Sequence, residues 1–146
     1  MKFGIIGAGN MGGAIARGLA GGQHFQSEHI IVSDLSEPCL NALQKDVPGI
    51  KVCNDNLQAA QADIVLIAVK PWLVDLVLKE IAHCLNEKKM LIVVAAGVSF
   101  EQIFNSLPED LAGIPCYRLI PNTAITEKES MNLFAAINTS KEQNEF

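Results

Sequence analysis

The chain has 146 residues, 49% of them hydrophobic, 5% aromatic and 18% charged, with a formal net charge of −5. That length suits one domain with its own core, and the apolar fraction excludes a disordered chain, which buries too little surface to offset its ordering entropy. A pI near 5.1 excludes a binder of the nucleic-acid phosphate backbone, and the longest uncharged apolar stretches, 64–69 and 90–98, fall far short of a bilayer span.

Residues 2–6 (KFGII) read as a first strand, and the segment Lys2–Ala8 is too short and too glycine-punctuated for the apolar core of a secretory leader. In the helix that follows, Met11, Ile15 and Leu19 share one face, flanked by Gly12, Ala16 and Ala20. Gly13 and Gly18 lower its propensity and imply close packing against sheet or ligand. Ile30–Ser33 (IIVS) is the second strand. Ser36 then N-caps a helix to about Asp46, with Leu40 and Leu43 inward and Pro48-Gly49 ending it. Lys51–Cys53 is a short third strand, and Asp55 caps a helix through Ala60. Residues 63–69 (DIVLIAV) and 89–95 (KMLIVVA) are apolar at consecutive positions, as in parallel strands covered on both faces. Between them Pro71 opens a helix with Leu73, Leu76, Val77 and Ile81 as its buried stripe. Ser99 with Gln102 forms a capping box for a helix ending before Pro108. Cys116–Ile120 is a sixth strand. The polar tail 139–146 (TSKEQNEF) is the start of another helix or a frayed end.

This alternation implies right-handed βαβ crossovers and a Rossmann-like, doubly wound, mostly parallel α/β sheet over residues 1–138, with helices on both faces. Cys39, Cys53, Cys84 and Cys116 are widely spaced, with no C-x-x-C and no nearby histidine pair. They read as reduced thiols in a cytoplasmic protein, with no metal site. His24, His29 and His83 are scattered and carry no assigned chemistry.

The turn Gly7-Ala8-Gly9-Asn10-Met11-Gly12 is a G-x-G-x-x-G placed between a strand and an amphipathic helix, the context that a dinucleotide site requires. Gly7 permits the tight turn, Gly9 lets the main chain approach a pyrophosphate, and Gly12 lets the helix lie close to the sheet. An anion there meets unpaired N–H groups and the positive end of the helix dipole. Asp34, 22 residues beyond Gly12 at the end of the second strand, stands where an acid accepts hydrogen bonds from the adenosine ribose and repels a 2′-phosphate. That favours NAD. The same carboxylate also suits a cap on the next helix, and Ser33 and Ser36 can donate to a 2′-phosphate, so NAD and NADP both stay open.

Four spaced motifs then carry a resemblance: IIGAGNMGGAI from residue 5, Ala68-Val69-Lys70-Pro71, Ala95-Ala96-Gly97-Val98-Ser99, and Pro121-Asn122-Thr123. Together they resemble the cofactor domain of the pyrroline-5-carboxylate reductase family. The resemblance implies a cofactor site made by Gly7, Ala8, Gly9, Asn10, Met11, Gly12, Ser33, Asp34, Asn56, Ala68, Val69, Lys70, Pro71, Ala95, Ala96 and Gly97. Pro121, Asn122 and Thr123 would face the substrate. Lys70 would hold a ribose hydroxyl or phosphate oxygen, and Asn56 would lie on the adenosine side. The family's usual next proline is replaced by Ala124, with TEKES at 126–130 where a glycine-containing segment is common.

The implied reaction is hydride transfer from NAD(P)H to the C=N bond of 1-pyrroline-5-carboxylate, giving L-proline. No proton donor falls inside a motif, and no catalytic residue is assigned. The resemblance accounts for this by a helical, dimer-forming C-terminal domain that would begin within residues 139–146. It implies a homo-oligomer for a full-length form and little activity for these 146 residues alone. The alternatives are another imine or β-hydroxyacid reductase of similar fold, or a non-catalytic dinucleotide-sensing module.

Overall fold

Where Ile and Val fill consecutive positions, the chain extends and buries both of its faces. A computed structural model describes residues 1–120 and 133–145. Its strands are β1 (Phe3–Ile6), β2 (Ile30–Ser33), β3 (Lys51–Cys53), β4 (Ile64–Ile67), β5 (Met90–Val94), β6 (Cys116–Ile120) and β7 (Leu133–Ile137). They form one sheet in the order β3-β2-β1-β4-β5-β6-β7. Every pair is parallel except β6 with β7, which is antiparallel. All four residues of β1 and of β4 are buried, as expected for central strands of a sheet covered on both sides. The architecture is the Rossmann-like doubly wound sheet expected from sequence.

The helices are α1 (Asn10–Ala20), α2 (Glu37–Asp46), α3 (Asn56–Ala60), α4 (Val74–Ile81), α5 (Phe100–Asn105) and α6 (Lys141–Glu145). Strand side chains alternate between two cores. One holds Phe3, Ile5, Val32, Ile64 and Leu66 beneath α1 and α2. The other holds Ile6, Val65, Ile67, Leu91 and Val93 beneath α3, α4 and α5. The helix coverage is therefore uneven. On the α1 side Phe134, opposite Leu119 in the β6–β7 register, is 63% exposed. In α6, Ser140 and Gln143 cap one another reciprocally, and the Tyr117 hydroxyl donates to Asn144 Oδ1 at 3.0 Å.

Several local expectations change. The buried stripe of α4 is Val74, Val77, Leu78 and Ile81, whereas Leu73 and Leu76 are exposed. Val77 and Ile81 are inward as expected; a 3₁₀ turn, Pro71–Leu73, precedes the helix and takes Leu73 out of its inward face. Gly18 is exposed, and a Cβ there would meet nothing within 4 Å, so close packing does not explain it. At Gly13 it does, since a Cβ would stand 3.2 Å from the Ala8 carbonyl oxygen. Ser36 occupies the N-cap of α2 without a side-chain capping bond; its own N–H is taken by Asp34 Oδ1 at 2.8 Å. Asp55 does cap α3, accepting from Leu57 N–H, and the Ser99–Gln102 capping box is formed. Strand β7 was not expected, because its sequence LFAAI carries two alanines, poor strand formers.

Two ionisable groups are set by packing. Burial pushes the Cys116 thiol up to about 12. Hydrogen bonds from Lys79, then from Ser106, hold the Asp75 carboxyl below its ordinary value; the donors lie at 2.9 and 2.7 Å.

Candidate functional site

Strand order reverses between β1 and β4. From their adjacent carboxyl ends the chain leaves β1 for α1 on one face and β4 for α4 on the other, opening a crevice above the sheet. Gly7 turns off β1 with φ of 105°, and a Cβ there would lie 2.5 Å from the Ala68 carbonyl oxygen. A Cβ on Gly12 would overlap the Gly7 carbonyl oxygen and reach 3.3 Å from Ala68 Cβ. Turn and helix therefore close around Ala68, and the first two motifs meet in one corner.

Gly9 is the opposite case, with open space where its Cβ would be. It is the N-cap of α1 and offers no side-chain capping bond, so the first-turn amides are uncapped by side chains. An uncapped helix N-terminus above an open, glycine-lined turn fits a phosphate anion.

The end of β2 holds this turn from the side. Gly7 N–H donates to the Ser33 carbonyl at 2.8 Å, and Asp34 N–H to the Cys53 carbonyl at 3.2 Å. Asp34 Oδ2 accepts the Ala8 N–H at 2.6 Å while Oδ1 takes Ser36. The carboxylate is thus a clamp between two turns, half-buried, each oxygen keeping a further lone pair for a hydroxyl. Beneath it, the buried Ser33 hydroxyl donates to Asn56 Oδ1 at 2.8 Å, and Asn56 Nδ2 donates to Glu80 Oε2 at 2.9 Å.

The remaining expected residues line the other half of the same edge. Ala68 and Val69 are half-buried, and Lys70 is exposed just before Pro71 opens its 3₁₀ turn. After β5, Ala95 is buried, Ala96 is exposed, and Gly97 turns with φ of 75°. Asn10 is exposed and Met11 half-buried against the α1-side core. Pro121, Asn122 and Thr123 lie outside the described residues.

Two residues escaped sequence reasoning. A Cβ at Gly4 would overlap the Ala59 carbonyl oxygen, so α3 is seated directly on β1. Glu80 joins the Ser33–Asn56 pair from α4. Nothing in local patterning signals either contact. An apolar depression of about 230 Å³, lined by Phe3, Gly18, Leu19, Gly22, His24 and Phe25, lies at the amino end of β1, away from this edge. Among the described residues no group of three His, Cys, Asp or Glu is placed to hold a metal, and no helix is long and apolar enough to cross a membrane.

Residues 2–97 match the family described as "NADP oxidoreductase coenzyme F420-dependent". Pyrroline-5-carboxylate reductase 2 of Dictyostelium discoideum is 36% identical over 134 residues, covering 90% of this chain and 44% of that protein. Pyrroline-5-carboxylate reductase of Escherichia coli (strain K12) is 38% identical over 123 residues, covering 84% and 44%. A solved pyrroline-5-carboxylate reductase from Coxiella burnetii superposes with a TM-score of 0.88 at 29% identity, covering 97% of this chain and 52% of that one. The chain thus spans about half the length of the curated relatives it matches.

Proposed function

The chain belongs to the NADP oxidoreductase, coenzyme F420-dependent, family, and from that premise we propose that it is the cofactor-binding part of a pyrroline-5-carboxylate reductase. The observation that carries this is the corner at the strand-order reversal, where the open Gly9 position, the tight Gly7–Gly12–Ala68 contact and the Asp34 clamp converge. The pyrophosphate is held at Gly7, Ala8, Gly9, Asn10, Met11 and Gly12 by the α1 amides. Asp34 and Asn56 take the adenosine ribose, with the buried Ser33 hydroxyl bracing Asn56 from beneath. Ala68, Val69, Lys70 and Pro71, with Ala95, Ala96 and Gly97, border the nicotinamide half. Lys70 serves there as a cation for a ribose hydroxyl or phosphate oxygen, and the small alanines let a flat ring approach the main chain. Pro121, Asn122 and Thr123 face the substrate side.

The cofactor is NAD or NADP. The fixed negative charge of Asp34 favours NAD, while the NADP oxidoreductase family description and the Ser36 hydroxyl support NADP; the Ser33 hydroxyl is buried and already donates to Asn56. Bound nicotinamide supplies a hydride to the imine carbon of 1-pyrroline-5-carboxylate, giving L-proline. This chain's residues orient and enclose; the proton donor and most substrate contacts belong to a helical C-terminal part that forms the homo-oligomer. The uncovered sheet face around Leu119 and Phe134 supports such a part packing there, with α6 as its first turn. The acidic composition and the absence of an apolar spanning helix among the described residues favour a cytoplasmic setting.

The test is a fluorescence titration with NADH and NADPH beside an assay for proline formation. Micromolar-range binding with negligible turnover by the 146 residues, and turnover once the C-terminal half of a relative is fused, is expected. Absence of nucleotide binding would overturn the assignment. Robust turnover by the 146 residues would overturn the claim that a second part completes the site. Binding with no turnover in any fused form would favour a sensing module.

A further inference from the structure

A carboxylate only accepts hydrogen bonds, a carboxamide both donates and accepts through different atoms, and a hydroxyl does both through one. The three groups meet in a fixed sequence at the adenosine end of the crevice. Glu80 Oε2 stands 2.9 Å from Asn56 Nδ2, and Asn56 Oδ1 stands 2.8 Å from the Ser33 hydroxyl. Because Glu80 can only accept, it fixes which end of the Asn56 carboxamide faces it. The amide oxygen is thereby turned toward Ser33, and the Ser33 hydroxyl must point its proton at that oxygen. Reversing the carboxamide would set an acceptor against the Glu80 carboxylate and an N–H against a hydroxyl already able to donate.

We infer that Glu80 is a positioning residue for the nucleotide site: acting through Asn56, it fixes which end of that carboxamide the crevice shows to the adenosine ribose. The inference deepens the proposed function and rests on its placement of Asn56 beside that ribose. Polarity is set as follows. Asn56 Nδ2 carries a second N–H, which has no partner among the described residues, so a donor is available for a ribose oxygen. The Ser33 hydroxyl, fully buried and with its proton spent on Asn56, braces the carboxamide from beneath and does not itself meet the ribose. Asp34 adds further acceptor capacity from the neighbouring turn. The ribose hydroxyls therefore meet a set of groups whose directions are decided before they arrive, by a residue on α4 that lies 24 positions from Asn56 in sequence and outside every glycine motif.

The variants Glu80→Ala, Glu80→Gln and Asn56→Ala, made in the 146-residue protein, test this with 5′-AMP and nicotinamide mononucleotide as half-cofactor probes in NMR titrations. Glu80→Ala is expected to weaken 5′-AMP about fivefold, the worth of one net hydrogen bond, with nicotinamide mononucleotide unchanged. Glu80→Gln, whose amide oxygen still accepts from Asn56, is expected to stay within about twofold of the parent. In ¹⁵N spectra recorded without any nucleotide, the Asn56 side-chain amide signals are expected to move in Glu80→Ala. Unmoved amide signals overturn the inference, even if no nucleotide binds. So does parent-like 5′-AMP affinity in Glu80→Ala when Asn56→Ala is weakened. Equal losses for both probes, or a Gln variant as weak as the Ala variant, also overturn it. If Asn56→Ala itself binds 5′-AMP normally, the placement of Asn56 in the proposed function is what fails.

Discussion

Gly9 and Gly12 stand three residues apart in one turn, and the structure assigns them opposite sensitivities to a methyl group. At Gly12 the added Cβ overlaps the Gly7 carbonyl oxygen, a backbone atom unable to rotate aside, and presses on Ala68 Cβ at 3.3 Å. Helix α1 must lift from the sheet. Overpacking of this kind costs about 1–3 kcal/mol, against a gain of about 1 kcal/mol for removing a helical glycine. Because the obstacle is main chain, the upper part of the range applies, leaving a net loss of about 1–2 kcal/mol. For a domain of this size that lowers Tm by about 3–8 °C. At Gly9 the Cβ meets nothing within 4 Å and φ is −65°, so the fold loses less than about 1 kcal/mol, the difference between Gly and Ala as N-caps. The methyl does occupy the approach to the α1 amides, where losing one charge-assisted hydrogen bond of about 1.5–3 kcal/mol weakens binding roughly ten- to a hundredfold. Thermal melts and NADH titrations of Gly9→Ala and Gly12→Ala together make the assay. A Gly9→Ala protein that binds NADH normally would refute the phosphate role of the turn. A Gly12→Ala protein as stable as the parent would refute the packing role.

Gly18→Ala adds a methyl in open space inside α1, so it should raise stability by about 0.5–1 kcal/mol; a lower denaturation midpoint would contradict the open position. Asp34→Ala removes the acceptor of two turn N–H groups along with its charge. It should weaken NADH binding while shifting the NADH-to-NADPH affinity ratio toward NADPH, and an unchanged ratio in parallel titrations counts against the charge argument. The buried Cys116 thiol titrates near 12 in the fold against 9.0 for its ordinary value. A raised folded value means stability fully present below pH 9 and lost as pH rises, by up to about 1.4 kcal/mol per pH unit until 12 is approached. Denaturant midpoints from pH 8 upward should therefore fall more steeply for the parent than for Cys116→Ala, and parallel slopes would contradict it.

What was legible in the sequence follows from which contacts are local. Strands β2, β3 and β6 matched their expected spans because β-branched, aromatic and aliphatic residues there lie between turn and cap residues. The Ser99–Gln102 and Asp55 caps were readable because both partners lie within three residues. In α4 Val77 and Ile81 face inward as expected, but the 3₁₀ turn takes up Trp72 and Leu73, so Val74 and Leu78 complete the inward set in place of Leu73 and Leu76. The reasons for Gly4 and Glu80 lie on partners, Ala59 and Asn56, brought near only by the fold. Asp34 was placed correctly at the end of β2, but its grip on Ala8 N–H depends on a contact across 26 residues that spacing alone does not reveal.

That grip has a thermodynamic consequence. The glycine turn is held by Gly7 N–H on Ser33 and by Ala8 N–H on Asp34, bonds internal to the protein. A nucleotide arriving there has little backbone left to order, so its binding free energy is not drained by freezing a mobile loop. Calorimetry should accordingly show a small conformational entropy loss and a heat-capacity change no larger than the apolar area covered by the ligand. Asp34, beyond its proposed part at the ribose, would thus keep the glycine turn rigid before any nucleotide arrives.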